Sequence, residues 1–299
     1  MDFFLQISVS GLMVGAVYSL IALGFVLILK ATGILNLAQG ELLLIGAFVC
    51  WALLDADLPL WLSIIVTLAI AALLGLLLER FLLRPMIGQP LISIMMMTIA
   101  LSVVLKAVAG IVWGSEPRSY PSIFPLSGIE LGPVSVSTQM GISCLIALAA
   151  VAILSAFFKW TKLGLGMRAV AEDPQAARAT GVRIKTIFSA VWIISAMIAA
   201  IGGFLLGASS GLGLHLGGLG LKTLAVVLLG GLESIKGAIL AGFIVGVAEN
   251  LAIGYIDPFL MDHGIRGAGI GGTFTYIIMM LVLLVRPYGL FGQKRIERI

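Results

Sequence analysis

A chain of 299 residues with 61% hydrophobic and 11% charged residues, at a mean hydropathy of +1.18, carries more apolar surface than a soluble core of that size can hide. A net charge of +4 is too small for a nucleic-acid footprint and matches the excess of Lys and Arg that membrane proteins keep on the cytoplasmic side. The expected class is all-α, a polytopic transmembrane helix bundle of eight to nine membrane segments, some of them discontinuous.

The N-terminus, MDFFLQISVSG, has no basic flank and runs straight into an apolar stretch, so it reads as a first span over 5–29 and not as a cleaved signal. After Lys30, the polar ATGILNLAQGE interrupts the apolar run, and the segment that follows, 42–54, is shorter than the roughly 20 residues a helix needs to cross hydrocarbon. Asn36, Gln39 and Glu41 stand at this break. They either line a cavity or cap a helix at the water interface.

Asp55, Asp57 and Pro59 predict a turn, and 61–78 the next span, closed by Glu79, Arg80, Arg84 and Pro85. A span over 91–113 contains Thr98, Ser102 and Lys106; the lysine either contacts substrate or snorkels to the interface. Residues 114–137, rich in Pro, Ser and Gly, read as an extracytoplasmic loop, and 140–158 as the span leading back. The two cysteines, Cys50 and Cys144, lie in separate apolar segments without His or carboxylate at ligand spacing, so they read as core thiols and no metal is expected.

Residues 159–185, KWTKLGLGMRAVAEDPQAARATGVRIK, form the one long polar run. Lys159, Lys162, Arg168, Arg178, Arg183 and Lys185 outweigh Glu172 and Asp173, which argues for the cytoplasmic side. Asp173-Pro174 predicts a helix start and Gly181 its stop. The small side chains of Ala176, Ala177 and Ala179 would let another protein approach closely, so the segment is either a docking element or a solvated amphipathic loop without a partner.

The span over 187–206 carries Ser195, Ala196, Ala199, Ala200, Gly202 and Gly203 on neighbouring turns, which predicts close helix packing at the centre of a bundle. A second broken span follows, with a short apolar segment at 221–230, the hinge GGLESIKG, and a fuller segment at 238–251 ending in Glu249-Asn250. Glu249 reads as an interfacial carboxylate or a cavity residue. The two hinges, LNLAQGELLLIGAF and LESIKGAILAGFIV, are alike, and paired interrupted segments in two halves of a chain point to transport-pathway helices. An external loop over 254–272, a last span over 273–285 and a tail with Arg286, Lys294, Arg295 and Arg298 place the C-terminus inside and, by parity, the N-terminus outside.

Catalytic motifs are not supported. GAGIGG at 267–272 satisfies G-x-G-x-x-G without a preceding strand. Lys222-Thr223 is similar to the end of a P-loop, but Leu216 and Leu221 stand where its glycines belong. His215 and His263 are isolated in Gly-rich stretches. Neither an enzymatic constellation nor a cofactor site is expected.

The motifs NLAQGELLLIGAF, GLGMRAVAEDPQAARATGV, TLAVVLLGGLESIKGAILAGFIVG and RPYGLFG, in this order over nearly the whole chain, resemble the permease subunits of bacterial branched-chain amino acid ABC importers of the LivH/LivM type. The resemblance implies one transmembrane permease domain over 1–299 in the bacterial inner membrane, with 159–185 as a cytoplasmic coupling segment. Its implied partners are a second permease subunit, either a paralogue or the same chain, two cytoplasmic ATP-binding subunits and a periplasmic substrate-binding protein. Arg168, Glu172, Asp173, Ala176, Ala177 and Gly181 match the family's coupling segment. Asn36, Gln39, Glu41, Thr98, Ser102 and Glu249 are the substrate-pathway candidates. The family has an aromatic residue and His where this chain has Leu37 and Gln39, which puts any role requiring imidazole in doubt. Urea or short amides are alternative substrates within the same family, and a stand-alone carrier driven by an ion gradient is the alternative from another class.

Overall fold

Helix α1 (Asp2–Thr32) opens the chain, and its 31 residues exceed the hydrocarbon thickness of a bilayer. The computed structural model describes residues 2–121, 128–131, 134–263 and 269–292. It continues through α2 (Gln39–Asp55), α3 (Leu60–Leu78) and α4 (Leu91–Trp113); a strand pair, β1 (Gly128–Leu131) and β2 (Val134–Ser137); and α5 (Thr138–Trp160). Two short helices, α6 (Lys162–Glu172) and α7 (Pro174–Ala179), lead to α8 (Ile184–Ser210). They are followed by α9 (Gly218–Gly230), α10 (Ile235–Leu251), α11 (Asp257–Asp262) and α12 (Ile270–Val285). Among the described residues six helical stretches are long and apolar enough to cross a membrane, and 214–230 and 271–285 are shorter apolar helices. Polytopic helical architecture is therefore established.

Local chemistry sets the boundaries. Asp57 adopts φ +58° after α2, and Pro59 caps α3, so the Asp-Ala-Asp-Leu-Pro turn forms where its residues predict. Helix α3 ends through a π-helical turn over Glu79–Leu83 and a 3₁₀ turn over Arg84–Met86, where Pro85 removes a donor. There Arg84 makes a two-pronged ion pair with Glu79, at 3.0 and 2.8 Å, and donates to Ser189 of α8. The loop expected over 114–137 contains structure: β1 and β2 pair antiparallel with Gly128 opposite Ser137. The alternating VSVS was its sequence signal. The loop expected over 254–272 holds a π-helical turn over Ala252–Ile256 and then α11, with Pro258 in its first turn.

The chain divides into two compact units. In the unit made of Met1–Val26, Phe124–Leu148 and Lys222–Ile299, α1 packs on α10 through facing small-residue pairs, Gly11-xxx-Gly15 and Gly242-xxx-Gly246. A Cβ on Gly11 would stand 2.7 Å from the Val247 Cα, and one on Gly246 2.5 Å from the Gly15 Cα, so the backbones touch. The Ser19 hydroxyl reinforces the contact, 2.8 Å from the carbonyls of both Gly15 and Ile239. The PYGLFG segment clamps the end of α9: Leu290 and Phe291 donate to the carbonyls of Leu229 and Gly230, at 2.8 and 3.1 Å. Gly289, at φ +78°, and Gly231, at φ +106°, supply the left-handed turns.

In the unit made of Leu27–Ile123 and Ala149–Leu221, α8 is the central helix, with Ser195, Ala196, Ala199, Ala200, Gly202 and Gly203 buried. A Cβ on Gly75 of α3 would stand 2.6 Å from the Trp192 carbonyl, and one on Gly46 of α2 2.6 Å from the Ala200 Cβ. The small-residue pattern thus sets how closely α2 and α3 approach. Residues before the strands cover one end: Tyr120 donates to the Ala47 carbonyl at 2.8 Å, Trp51 donates to the Ser119 carbonyl, and Arg118 stacks over the Trp51 ring. Burial holds the Tyr120 hydroxyl well above its ordinary titration range, so it remains a donor.

Candidate functional site

The first break in the chain builds a polar interior within the second unit. Asn36 turns its amide back on the Ala38 N–H at 3.1 Å, an Asx turn that starts α2. Its Nδ2 donates to the Gln39 Oε1, which also accepts from the Ser195 hydroxyl, both at 3.1 Å, while Gln39 Nε2 donates to the Ser195 carbonyl at 3.2 Å. All three side chains are buried. The Thr98 hydroxyl lies 2.9 Å from the Met95 carbonyl and 3.3 Å from that of Leu35. Asn36, Gln39 and Thr98 therefore tie the break to α8 and α4. Buried polar groups must find such partners.

Glu41, two residues beyond Gln39, faces a cleft of about 680 Å³. A Cβ on Gly40 would run into the Gly217 carbonyl and come within 2.9 Å of the Gly220 Cα, so the first turn of α2 lies directly on residues 217–220. A Cβ on Gly217 would stand 3.2 Å from the Glu41 Oε1. Ser102 and Lys106, four residues apart on one face of α4, line the same cleft. Both the Ser102 hydroxyl and the Lys106 ammonium bear on the Glu41 carboxylate electrostatically. The remaining walls include Leu37, Ile99, Val103, Leu214 and Leu221.

Glu249 lies in the first unit, in a closed cluster. Its Oε1 is 2.6 Å from Lys222 Nζ, and its Oε2 accepts from the Tyr18 hydroxyl at 3.1 Å and from Thr275 at 3.4 Å. Tyr18, Lys222, Glu249 and Thr275 are all buried, and they join α1, α9, α10 and α12 at one point. Sequence reasoning found Glu249 but missed its partners. Lys222 was visible as an ammonium in an apolar segment, a signal that should prompt a search for a counter-ion.

The polar run forms two helices. Thr161 caps α6 by accepting from the Gly164 N–H at 3.0 Å, and Asp173 caps α7 by accepting from the Gln175 and Ala176 N–H groups at 2.8 and 3.1 Å. At the far end Val182 N–H reaches the Ala177 carbonyl and Gly181 N–H that of Arg178, with Gly181 at φ +90°, which is a Schellman stop. Arg168 donates to the Phe158 carbonyl, closing α6 onto the end of α5. Arg168, Glu172, Asp173, Ala176 and Gly181 are exposed, whereas Ala177 is buried beneath α7.

Among the described residues no group of His, Cys, Asp and Glu could hold a metal ion. Of GAGIGG, residues 267–268 lie outside the described residues, as does the tail from 293 onward. His263 Nδ1 is 2.7 Å from the Phe259 carbonyl of α11, and His215 lies in the 3₁₀ turn before α9.

A multi-pass apolar bundle with interrupted helices, small-residue contacts and a largely apolar cleft holding a few polar side chains is the construction of a membrane permease component. The chain belongs to the family described as branched-chain amino acid transport system / permease component, which matches residues 7–285. It is 28% identical over 312 residues to LivH of Salmonella typhimurium, a high-affinity branched-chain amino acid transport system permease protein, covering 99% of this chain and 98% of that one. BraD of Pseudomonas aeruginosa, described in the same terms, is also 28% identical, over 99% and 98% of the two chains. The probable branched-chain amino acid transport permease protein LivH of Methanocaldococcus jannaschii is 29% identical over 94% and 90%. Among solved structures, PsaBC from Streptococcus pneumoniae in complex with Fab shares the fold, with a TM-score of 0.51 at 13% identity, covering 97% of this chain and 94% of that one. The family is a membrane permease component and not an enzyme.

Proposed function

We propose that this chain is the membrane-spanning subunit of an ATP-driven importer that moves branched-chain or related small amino acids inward by alternating access. The family match over 7–285, together with full-length relatives whose names specify branched-chain amino acid transport, carries the reading. ATP hydrolysis then belongs to two separate cytoplasmic subunits. A second permease, paralogous or identical, completes the pathway, and a periplasmic binding protein delivers substrate. In this arrangement the C-terminus and 159–185 face the cytoplasm.

The exposed surface of α6 and α7 supports a docking role for that segment. Arg168, Glu172, Asp173 and Ala176 offer charge and close approach, Ala177 props α7 from beneath, and Gly181 stops it. Both ends of α7 are held by capping bonds, so the short helix can act as a rigid lever. In the ion-gradient alternative Glu249 would have to act from within its ion pair with Lys222 at 2.6 Å.

Reconstituted uptake tests the reading. L-Leucine accumulation in proteoliposomes should require the ATP-binding subunits, the binding protein and ATP. Transport by the purified chain under an ion gradient alone would refute it. Ala176→Asp and Gly181→Trp should abolish co-purification of the ATPases while the chain still inserts.

A further inference from the structure

The cleft beside the start of α2 is lined by an acid and an ammonium that form no direct ion pair with one another. Glu41 is buried to 7% exposure and lies at the start of α2, where the helix N-terminus favours a carboxylate. Lys106 of α4, one turn beyond Ser102, lines the same cleft. Among the described residues two ion pairs form, Arg84–Glu79 and Lys222–Glu249, and neither involves Glu41 or Lys106. Two opposite charges that line one cavity without a direct ion pair, among leucine, isoleucine and valine side chains, match one chemistry: a small molecule with both charges on one end and hydrocarbon on the other.

We propose that this cleft binds the zwitterionic backbone of an α-amino acid with an apolar side chain, Glu41 holding the ammonium group and Lys106 the carboxylate. The assignment rests on the transporter reading above and adds the residues that would read the substrate inside the membrane. The volume of about 680 Å³ lies within the roughly 300–1,000 Å³ of small-molecule sites. The absence of a side chain at Gly217 leaves room for the Glu41 carboxylate, and Gly218 borders open space, with nothing within 4 Å of an added Cβ. Apolar walls at Leu37, Ile99, Val103, Leu214 and Leu221 take the side chain by burial and provide no partner for a charged one. An uncharged amide or urea would leave both Glu41 and Lys106 unpaired in the membrane, which is costly.

Binding of radiolabelled L-leucine to the full chain in lipid nanodiscs tests this, with 4-methylpentanoate, which lacks the ammonium, and L-leucinamide, which lacks the carboxylate, as competitors. L-Leucine should displace the label from the wild type and neither analogue should. Glu41→Gln should weaken L-leucine by about 30-fold or more and erase discrimination against 4-methylpentanoate only. Lys106→Met should erase discrimination against L-leucinamide only. A merely structural role for either residue would not produce this crossed pattern. Gly218→Leu, at φ −64° where any residue fits, should weaken L-leucine by filling the cleft. Unchanged discrimination in both charge variants, or a wild type that binds neither L-leucine nor prefers it to the analogues, would overturn the proposal. ATP-dependent L-leucine uptake that is intact in the wild-type assembly and indifferent to Glu41 and Lys106 would remove the cleft while leaving the transporter reading standing. Absence of such uptake would remove the transporter reading itself.

Discussion

Each unit contains a carboxylate and an ammonium within its apolar helices, and the two combinations are built in opposite ways. Glu249 and Lys222 meet at 2.6 Å, and the remaining Glu249 oxygen accepts from Tyr18 and Thr275, so the cluster is closed on itself. Glu41 and Lys106 face one cleft without meeting. A closed pair leaves neither charge uncompensated, and losing one partner in a low-dielectric interior is costly. An open pair leaves both charges to a molecule that enters.

The difference can be broken most severely at Glu249. Glu249→Ala leaves the Lys222 ammonium buried without a partner and should destabilise the chain by about 3–5 kcal/mol, read as a lower thermal midpoint in detergent. Replacing both members by apolar residues, Lys222→Met with Glu249→Leu, should recover most of that loss; a double variant as unstable as the single one would show that the pair is not the source. Tyr18→Phe removes one donor to a charged acceptor and should cost about 1.5–3 kcal/mol in the same measurement. Asp173→Ala, outside both pairs, should cost about 1 kcal/mol, confined to faster amide exchange at Gln175 and Ala176, and serves as the reference for a purely local loss. At the open pair, Lys106→Met should leave the thermal midpoint unchanged while altering ligand discrimination. A midpoint drop comparable to that of Glu249→Ala would mean that the open pair is also a staple.

The contrast explains which parts of the molecule were readable from residues alone. Asp173-Pro174 and Gly181 predicted the start and stop of α7 because capping depends on groups within a few positions of each other. The small residues of α8 predicted its central place for a similar reason: their spacing puts them on shared faces. Thr161 escaped notice as a cap, so α6 was not expected beside α7. The strand pair within 128–137 was read as loop because four-residue strands give a weak periodic signal among Pro and Gly.

Long-range partners were a different matter. Lys222 drew attention only beside Thr223, as the end of a nucleotide-binding motif whose glycines are missing, although its true partner stands 27 positions away. Gln39 and Ser195, separated by 156 positions, were read separately, one as a pathway residue and the other as a packing residue, and they hydrogen-bond to each other. Of the polar residues at the first break, Asn36 and Gln39 satisfy the backbone and α8, whereas Glu41 reaches the cleft. Spacing of two and three residues could not have told them apart, since the rotation of α2 is set by its contact with residues 217–220.

Composition and apolar run length determined by themselves that this chain is a helical membrane protein, because no soluble core accommodates so much hydrocarbon, and long unbroken apolar runs suit a lipid-spanning helix and not the alternating strands of a barrel. Cap residues determined where α7 begins and ends. Only the tertiary structure decided which charges are neutralised and which stand open, because a charge's partner depends on where glycine contacts such as Gly15 against Gly246 and Gly40 against Gly220 allow backbones to meet. Those contacts bring together residues far apart in the chain, and neither partner carries a local mark of the other.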